Sequence, residues 1–144
     1  MPQIAIRPAT AQDAPRLAIL LRQLGYPAAP EDVVARLSRL ESCGYAVASV
    51  AEIDGAVVGL GTGHVLPSIH ATPLAAWLTT LVVDQRFIGM GVGKALTGAI
   101  EAWARSRGAI RLSVTSGQHR DGAHAFYEHV GYERTGVRLT KALV

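Results

Sequence analysis

The chain has 144 residues, of which 49% are apolar and 17% charged, as expected for one globular domain with its own core. Its formal charge is +3 and its basic residues are scattered, which disfavours nucleic-acid binding. It has no long apolar run, no signal-peptide pattern and one cysteine, Cys43, so we expect a cytoplasmic protein without a membrane span or disulfide.

The first part of the chain predicts a strand and two helices. Alternating apolar residues at the start indicate a short strand, which Pro8 ends. Thr10 and Asp13 have the spacing of a capping pair, and leucines at helical spacing follow as far as Gly25. After two prolines, Glu31 begins a second predicted helix.

A hairpin comes next. The dipeptide Asp54-Gly55 predicts a tight turn between strands over residues 45–53 and 56–66. Three glycines at alternate positions of the return strand share one face: Gly59, Gly61 and Gly63. Their face either admits a helix, another backbone or a ligand, or it marks a weakened strand with a bulge.

Five more elements are predicted after a loop that contains Pro67 and Pro73. They are a buried strand over residues 77–83, a helix between a glycine-rich turn and Gly108, a buried strand over 110–114, a helix over 123–130 capped by Asp121, and a last strand over 137–143. The strand after the loop, the long helix and the next strand form a parallel crossover. The order of elements predicts an α/β domain with a mixed sheet over residues 1–144.

The glycine loop, residues 88–94, lies between a predicted strand and a helix N-terminus. Unpaired amides and the helix dipole favour an anion there, and glycines leave those amides accessible. It is not a P-loop, because Ile88 and Ala95 stand where that motif needs glycine and Ser or Thr. The dinucleotide fingerprint also fails, because its third glycine would fall on Lys94.

Three segments together resemble the GNAT superfamily of acyl-CoA-dependent N-acyltransferases. The run Leu81-Val82-Val83 with GMGVGKAL resembles that family's strand, pyrophosphate loop and helix. The run AHAFYEHVGYE over residues 123–133 is similar to its tyrosine-bearing helix, and the early IRPAT to its first strand and turn. The resemblance covers nearly the whole chain. It implies one domain whose mixed, mostly antiparallel sheet is flanked by helices and contains a central parallel strand–helix–strand unit.

The family motif is usually written Gln/Arg-x-x-Gly-x-Gly/Ala, and this sequence departs from it. With Gly91 and Gly93 as the motif glycines, Ile88 occupies the Gln/Arg position. A register that uses Arg86 instead would shift the helix start by two residues. We prefer the first register because it keeps Lys94 and the two residues after it inside the helix.

The resemblance implies an N-acetyltransferase that moves the acetyl group of acetyl-CoA to the primary amine of a small molecule by direct attack, without a metal. A peptide acceptor is less favoured. The residues implied to bind the cosubstrate are Leu81, Val82, Val83, Ile88, Gly89, Met90, Gly91, Val92, Gly93, Lys94 and Tyr127. Tyr127 matches the tyrosine that protonates the leaving thiolate, and packing of its helix against the sheet is the alternative role.

The general base is not evident from the sequence. Many relatives use a glutamate on or near the central strand, and residues 77–80 contain none. The candidates that remain are Glu52, His64, Asp84, His119 and His124. A local pair with Glu128 would explain His124 without catalysis. An alternative function is therefore a weak or inactive CoA-binding sensor or scaffold of the same fold.

Acceptor specificity is expected from the first two helices and the joint around Tyr26, because loops carry variable binding residues. An amino acid, a polyamine or an amino sugar all remain open as acceptors. Arg120 is a candidate contact for the cosubstrate or for an acidic acceptor group. Low charge together with Trp77 and Trp103 suits a homodimer, although core packing explains both tryptophans equally well.

Overall fold

The computed structural model describes residues 2–115 and 121–144, apart from the side chain of Asp121. Helices and strands follow one another as the sequence predicts up to the last helix. Their bounds are β1 (Ala5–Pro8), α1 (Ala14–Leu24), α2 (Pro30–Cys43), β2 (Ala46–Ile53), β3 (Ala56–Ser68), β4 (Ala71–Val83), α3 (Val92–Ser106), β5 (Leu112–Val114) and α4 (Asp121–His129). Within these ranges, no helix has the length and apolar character needed to cross a membrane.

The five strands form one sheet in sequence order. Strands β1 to β4 pair antiparallel with their neighbours, and β5 pairs parallel with β4. The unit β4–α3–β5 is therefore a parallel strand–helix–strand crossover inside a mostly antiparallel sheet. This confirms the predicted fold class.

Helices cover both faces of the sheet. On one face, Leu17, Leu20 and Val33 of α1 and α2 form a core cluster with Val50 and Leu60. On the other face, Val92 and Leu96 of α3 pack against β2 and β3. The sheet is thus a middle layer whose two faces carry separate apolar clusters.

The glycine face of β3 lies under α3. A Cβ atom on Gly59 would lie 2.8 Å from Leu96 Cδ1, and one on Gly63 would lie 2.8 Å from Ile100 Cγ2. The pairing of β3 with β4 also shifts register between Thr62 and Gly63. Both predicted alternatives therefore hold: the glycines admit a closely packed helix, and the strand contains an irregularity.

Local signals placed several element ends correctly. The Thr10 amide donates to Asp13 Oδ2 over 2.8 Å, so the predicted capping pair is present, and it precedes α1 by one short 3-10 turn. Asp54 and Gly55 both have positive φ, 51° and 79°, as a two-residue hairpin with the twist of its strands requires.

The predictions for the starts of two strands and for the existence of a third were wrong. The strand predicted at residue 77 begins at Ala71, and the expected loop is a hairpin in which Pro67 lies at a register shift. Strand β5 has only three residues, and Ile110 is exposed. Residues 137–143 form no strand, because an alternating segment becomes a strand only when it pairs with another, and these residues pair with none of the described strands.

Candidate active site

The glycine loop leads directly into α3. A short 3-10 turn follows β4, and Gly89 and Gly91 then adopt φ values of +86° and +87°, which favour glycine. The first intrahelical hydrogen bond runs from the Ala95 amide to the Gly91 carbonyl over 3.0 Å. The amides before Ala95 therefore lack intrahelical acceptors and, with the helix dipole, favour an anion.

The outer side of the loop is open. A Cβ atom on Gly89 would meet no other atom within 4 Å, and one on Gly91 would meet only Ile4 Cδ1, at 3.9 Å. Gly93 instead faces Phe126 of α4, whose ring would lie 3.0 Å from a Cβ atom there. No neighbouring side chain of the described residues therefore closely covers Gly89 or Gly91.

The structure distinguishes the two registers of the loop. Helix α3 begins at Val92, so Lys94 lies inside it, as the preferred register requires. Arg86, the arginine of the other register, holds Asp84 through an Nη2–Oδ2 contact of 3.0 Å. Ile88 is 69% exposed at the end of the turn. Lys94 is exposed and lines a second cleft of about 450 Å³ between α3 and the end of α4.

Strands β4 and β5 diverge beside this loop. Their pairing runs only from Ala76 opposite Leu112 to Leu78 opposite Val114. From Thr79 onward, β3 is the only strand paired with β4 in the described part of the chain. The end of β4 therefore offers a backbone edge to an added extended chain.

A cavity of about 580 Å³ opens where the strands part. Leucines of α1 and α2 form one wall, and threonines of β3 and β4 form the floor. Among the predicted site residues, it brings together Leu81 and Tyr127. Val82 is buried and Val83 is half-buried beneath the helices, so they offer their backbone rather than their side chains. Tyr26 also lines the cavity, as expected of the joint between the first two helices.

Tyr127 lies half-buried on α4, with one side in an aromatic cluster. Its ring meets Phe126 at 5.4 Å and Tyr132 at 5.8 Å between centroids, both edge-on. The Tyr132 hydroxyl donates to Glu101 Oε2 over 2.8 Å, and burial with that carboxylate raises the pKa of Tyr132. Tyr132 therefore has a packing role, whereas Tyr127 both packs and reaches the cavity.

The structure removes both acidic candidates for the general base. Asp84 is fully buried and bound by Arg86 and Arg16, whose hydrogen bonds outweigh burial and hold the pKa of its carboxyl well below the usual value. Glu52 is hydrogen-bonded to Arg7 between β1 and β2, away from the cavity. Neither carboxylate is therefore placed to take a proton from an amine in the cavity.

The histidine candidates differ in position. His64 Nδ1 lies 3.1 Å from Thr79 Oγ1, and Thr79 Oγ1 lies 2.8 Å from Thr62 Oγ1. His124 is half-buried on α4, and its predicted partner Glu128 instead binds Arg134, so that local pair is absent. His119 and Arg120 lie outside the described residues.

Sequence reasoning missed several residues of this cavity. Its wall contains Thr62, Thr79, Arg36 and Arg138, none of which was a candidate. The Thr79-Thr80 pair in the otherwise apolar predicted strand over residues 77–83 was an available signal, because strand alternation puts one of two neighbouring residues on the core side of the sheet.

Known proteins share this sequence pattern and this fold. The model of the acetyltransferase (GNAT) family matches residues 15–132. An aminoglycoside N(6')-acetyltransferase type 1 of Stenotrophomonas maltophilia is 30% identical over 90% of this chain and 86% of its own length. An aminoalkylphosphonate N-acetyltransferase of Salmonella typhimurium is 32% identical over 62% of this chain, and that match spans only 58% of the Salmonella protein.

Solved structures with low sequence identity have the same fold. A transcriptional regulator from Bacillus halodurans superposes with a TM-score of 0.89 at 19% identity, covering 98% of this chain and all of the other. The aminoglycoside N-acetyltransferase AAC(6')-Iy, in complex with CoA, gives 0.87 at 16% identity over 99% of this chain and 95% of its own. With the family match over most of its length, this chain belongs to the GNAT family of acetyltransferases.

Proposed function

We propose that the protein transfers the acetyl group of acetyl-CoA to the primary amine of a small molecule by direct attack. One observation carries this proposal. The glycine loop at the start of α3 follows β4 after one short 3-10 turn, the end of β4 is unpaired on its β5 side in the described residues, and a cavity containing Tyr127 lies beside that same strand end. This arrangement supports adjacent binding of a diphosphate, an extended thioester arm and an amine.

The donor is held mainly by backbone groups. In this proposal the amides of the glycine loop bind the diphosphate, with Gly89 and Gly91 giving it access and the side chains of Ile88 and Met90 beside it. The arm of acetyl-CoA pairs with residues 81–83 as an added strand. A backbone amide of residues 81–83 then donates a hydrogen bond to the carbonyl oxygen of the thioester.

The reaction needs two proton movements. The amine nitrogen forms a bond to the thioester carbonyl carbon, and the carbon–sulfur bond breaks. Tyr127 donates its hydroxyl proton to the departing sulfur, since a thiol leaves more easily than a thiolate. The amine proton passes to the Thr79 hydroxyl, which gives its own proton to His64 Nδ1. Close placement of donor and acceptor supplies much of the rate.

The acceptor and the setting of the enzyme are part of the same proposal. The related acetyltransferases carry names that refer to aminoglycosides and aminoalkylphosphonates, which are small amines. These names support a small-molecule acceptor over a peptide. We further propose that the enzyme acts in the cytoplasm, as a homodimer, and without a metal.

A thiol-release assay with Tyr127→Phe tests the proposal. With acetyl-CoA and a panel of amines, wild type should release CoA, and Tyr127→Phe should lower kcat about 100-fold because the leaving sulfur loses its proton donor. Calorimetry should show unchanged acetyl-CoA affinity. Tyr132→Phe is the matched control, because it removes the hydroxyl bound to Glu101 and should affect stability rather than kcat.

Two results would contradict the proposal. Wild type that binds acetyl-CoA but releases no thiol with any amine would favour the sensor function. Wild type without saturable binding at millimolar acetyl-CoA would show that the glycine loop does not hold the donor.

A further inference from the structure

The charged side chains in the described wall of the cavity are all positive. Its described wall contains two cationic side chains, Arg36 of α2 and Arg138 of the C-terminal segment, and no aspartate or glutamate. We infer that the acceptor carries an anionic group, a carboxylate or a phosphonate, in addition to its amine. This inference rests on the proposed function and names the class of acceptor for that same site.

Both guanidinium groups are available to a ligand. Arg7, Arg16 and Arg86 are each held by a carboxylate. In the described part of the chain, neither Arg36 nor Arg138 forms an ion pair. An arginine keeps its charge at all physiological pH values and presents a planar fork that matches a carboxylate or phosphonate. The cavity therefore holds positive charge that no protein group neutralises.

The remainder of the wall does not favour a polycation. Leucines such as Leu21 and Leu37 cover the helical side, and hydroxyls such as Thr62 and Thr80 cover the sheet side. A polyamine, or an aminoglycoside with several amines, would bring further ammonium groups beside the two arginines, where the described wall has no carboxylate to pair with them. An acceptor with an amine at one end and an anion at the other can place the anion beside the two arginines and the amine beside the hydroxyls of the sheet side.

Matched acceptors test this inference. We would measure kcat/KM of the full-length enzyme for β-alanine, for 2-aminoethylphosphonate, for the neutral amide of β-alanine, and for putrescine as a dication. Both anionic amines, or one of them, should exceed the neutral amide by about tenfold, because a charge-assisted hydrogen bond is stronger than a neutral one. Comparing the rates for β-alanine and 2-aminoethylphosphonate shows whether a carboxylate or a phosphonate fits the site better.

Arginine variants show whether the preference for an anionic amine comes from the charge of the cavity wall or from a difference in basicity between the amines. Arg36→Gln and Arg138→Gln should each reduce the preference for the anionic amine roughly three- to thirtyfold and change the rate with the neutral amide less than about twofold. Arg39→Gln is the matched control, since Arg39 is also exposed on α2 but does not line the cavity. It should leave the preference unchanged.

Each outcome decides the inference. A preference for putrescine, equal rates for the anionic and neutral amines, or a preference unaffected by both arginine variants would overturn it while leaving the acetyltransferase function intact. If no amine is acetylated, the proposed function fails, and calorimetry with 2-aminoethylphosphonate then tests the charge alone. Saturable binding that both arginine variants weaken would support an anion site, and no binding would overturn it.

Discussion

The hydroxyl of Thr79 links the cavity floor to a titratable ring. It lies 2.8 Å from Thr62 Oγ1 and 3.1 Å from His64 Nδ1, and both threonines line the cavity. A hydroxyl between an amine and an imidazole accepts one proton while donating another. In the proposed reaction, this makes His64 the final proton acceptor, although it does not line the cavity itself.

We predict that His64→Gln lowers kcat about 100-fold at pH 7, because glutamine accepts no proton. The thiol-release assay at saturating amine measures this change in kcat. His70→Gln, in the exposed turn between β3 and β4, is the control, and an unchanged kcat in His64→Gln would contradict the relay.

Individual site residues were predictable only where their partners are close in sequence. The Thr10–Asp13 pair and the glycine loop depend on neighbours within a few positions. Asp84 is bound by Arg86, only two positions away, and by Arg16, which lies 68 positions away. The sequence does not show that Asp84 is buried or that Arg16 reaches it, so Arg86 alone could not mark this carboxylate as bound.

At the scale of elements, the glycines of β3 allow α3 to pack closely against the sheet. A Cβ atom on Gly63 would lie 2.8 Å from Ile100 Cγ2 and 3.3 Å from the Trp77 carbonyl oxygen. The Cγ2 atom is fixed to a branched Cβ, so it moves only with a change of rotamer. On Gly61 the nearest atom would be Leu96 Cβ at 3.5 Å, an ordinary contact.

We therefore predict that Gly63→Ala lowers the free energy of unfolding by about 1–3 kcal/mol through overpacking. Gly61→Ala, on the same face of the same strand, should be nearly neutral. Urea denaturation of the two variants and wild type measures the difference. Equal effects of the two substitutions would show that α3 is free to move away from β3.

Helices were predicted more reliably than strand ends, for a physical reason. A helix is closed by its own caps, and the glycine and proline signals around α1 and α2 mark those caps in the sequence. A strand ends where its partner ends. The early start of β4 is set by pairing with β3 across the Ile69-His70 turn, and residues 137–143 form no strand because they do not pair with any described strand.

At the scale of the whole molecule, acid should be destabilising. Hydrogen bonds from Arg86 and Arg16 lower the pKa of Asp84, and the bidentate contact with Arg7 lowers that of Asp13. Below about pH 5 the unfolded chain then binds more protons than the native one, so the free energy of unfolding falls as the pH drops. Above that pH, both carboxylates contribute their full stabilisation.

We predict that Asp84→Asn costs about 3 kcal/mol at pH 7, because it leaves Arg16 beside an uncharged buried amide. The variant should also lose less stability than wild type between pH 5 and pH 3. Denaturation at several pH values measures both. Glu128→Gln, which breaks an exposed pair with Arg134, should change stability by less than about 1 kcal/mol, and an equal cost for the two variants would contradict the role of burial.

Arg16 extends from α1, in the helical wall of the cavity, to β3 and to the residue that follows β4. Its guanidinium donates to the Val57 carbonyl over 2.8 Å and to Asp84 Oδ2 over 2.8 Å, just before the turn that leads to the glycine loop. Replacing the first helix by that of another family member, in order to change the accepted amine, would therefore also disturb the turn that leads to the glycine loop, where we propose that acetyl-CoA binds, unless the new helix supplies an arginine at this position.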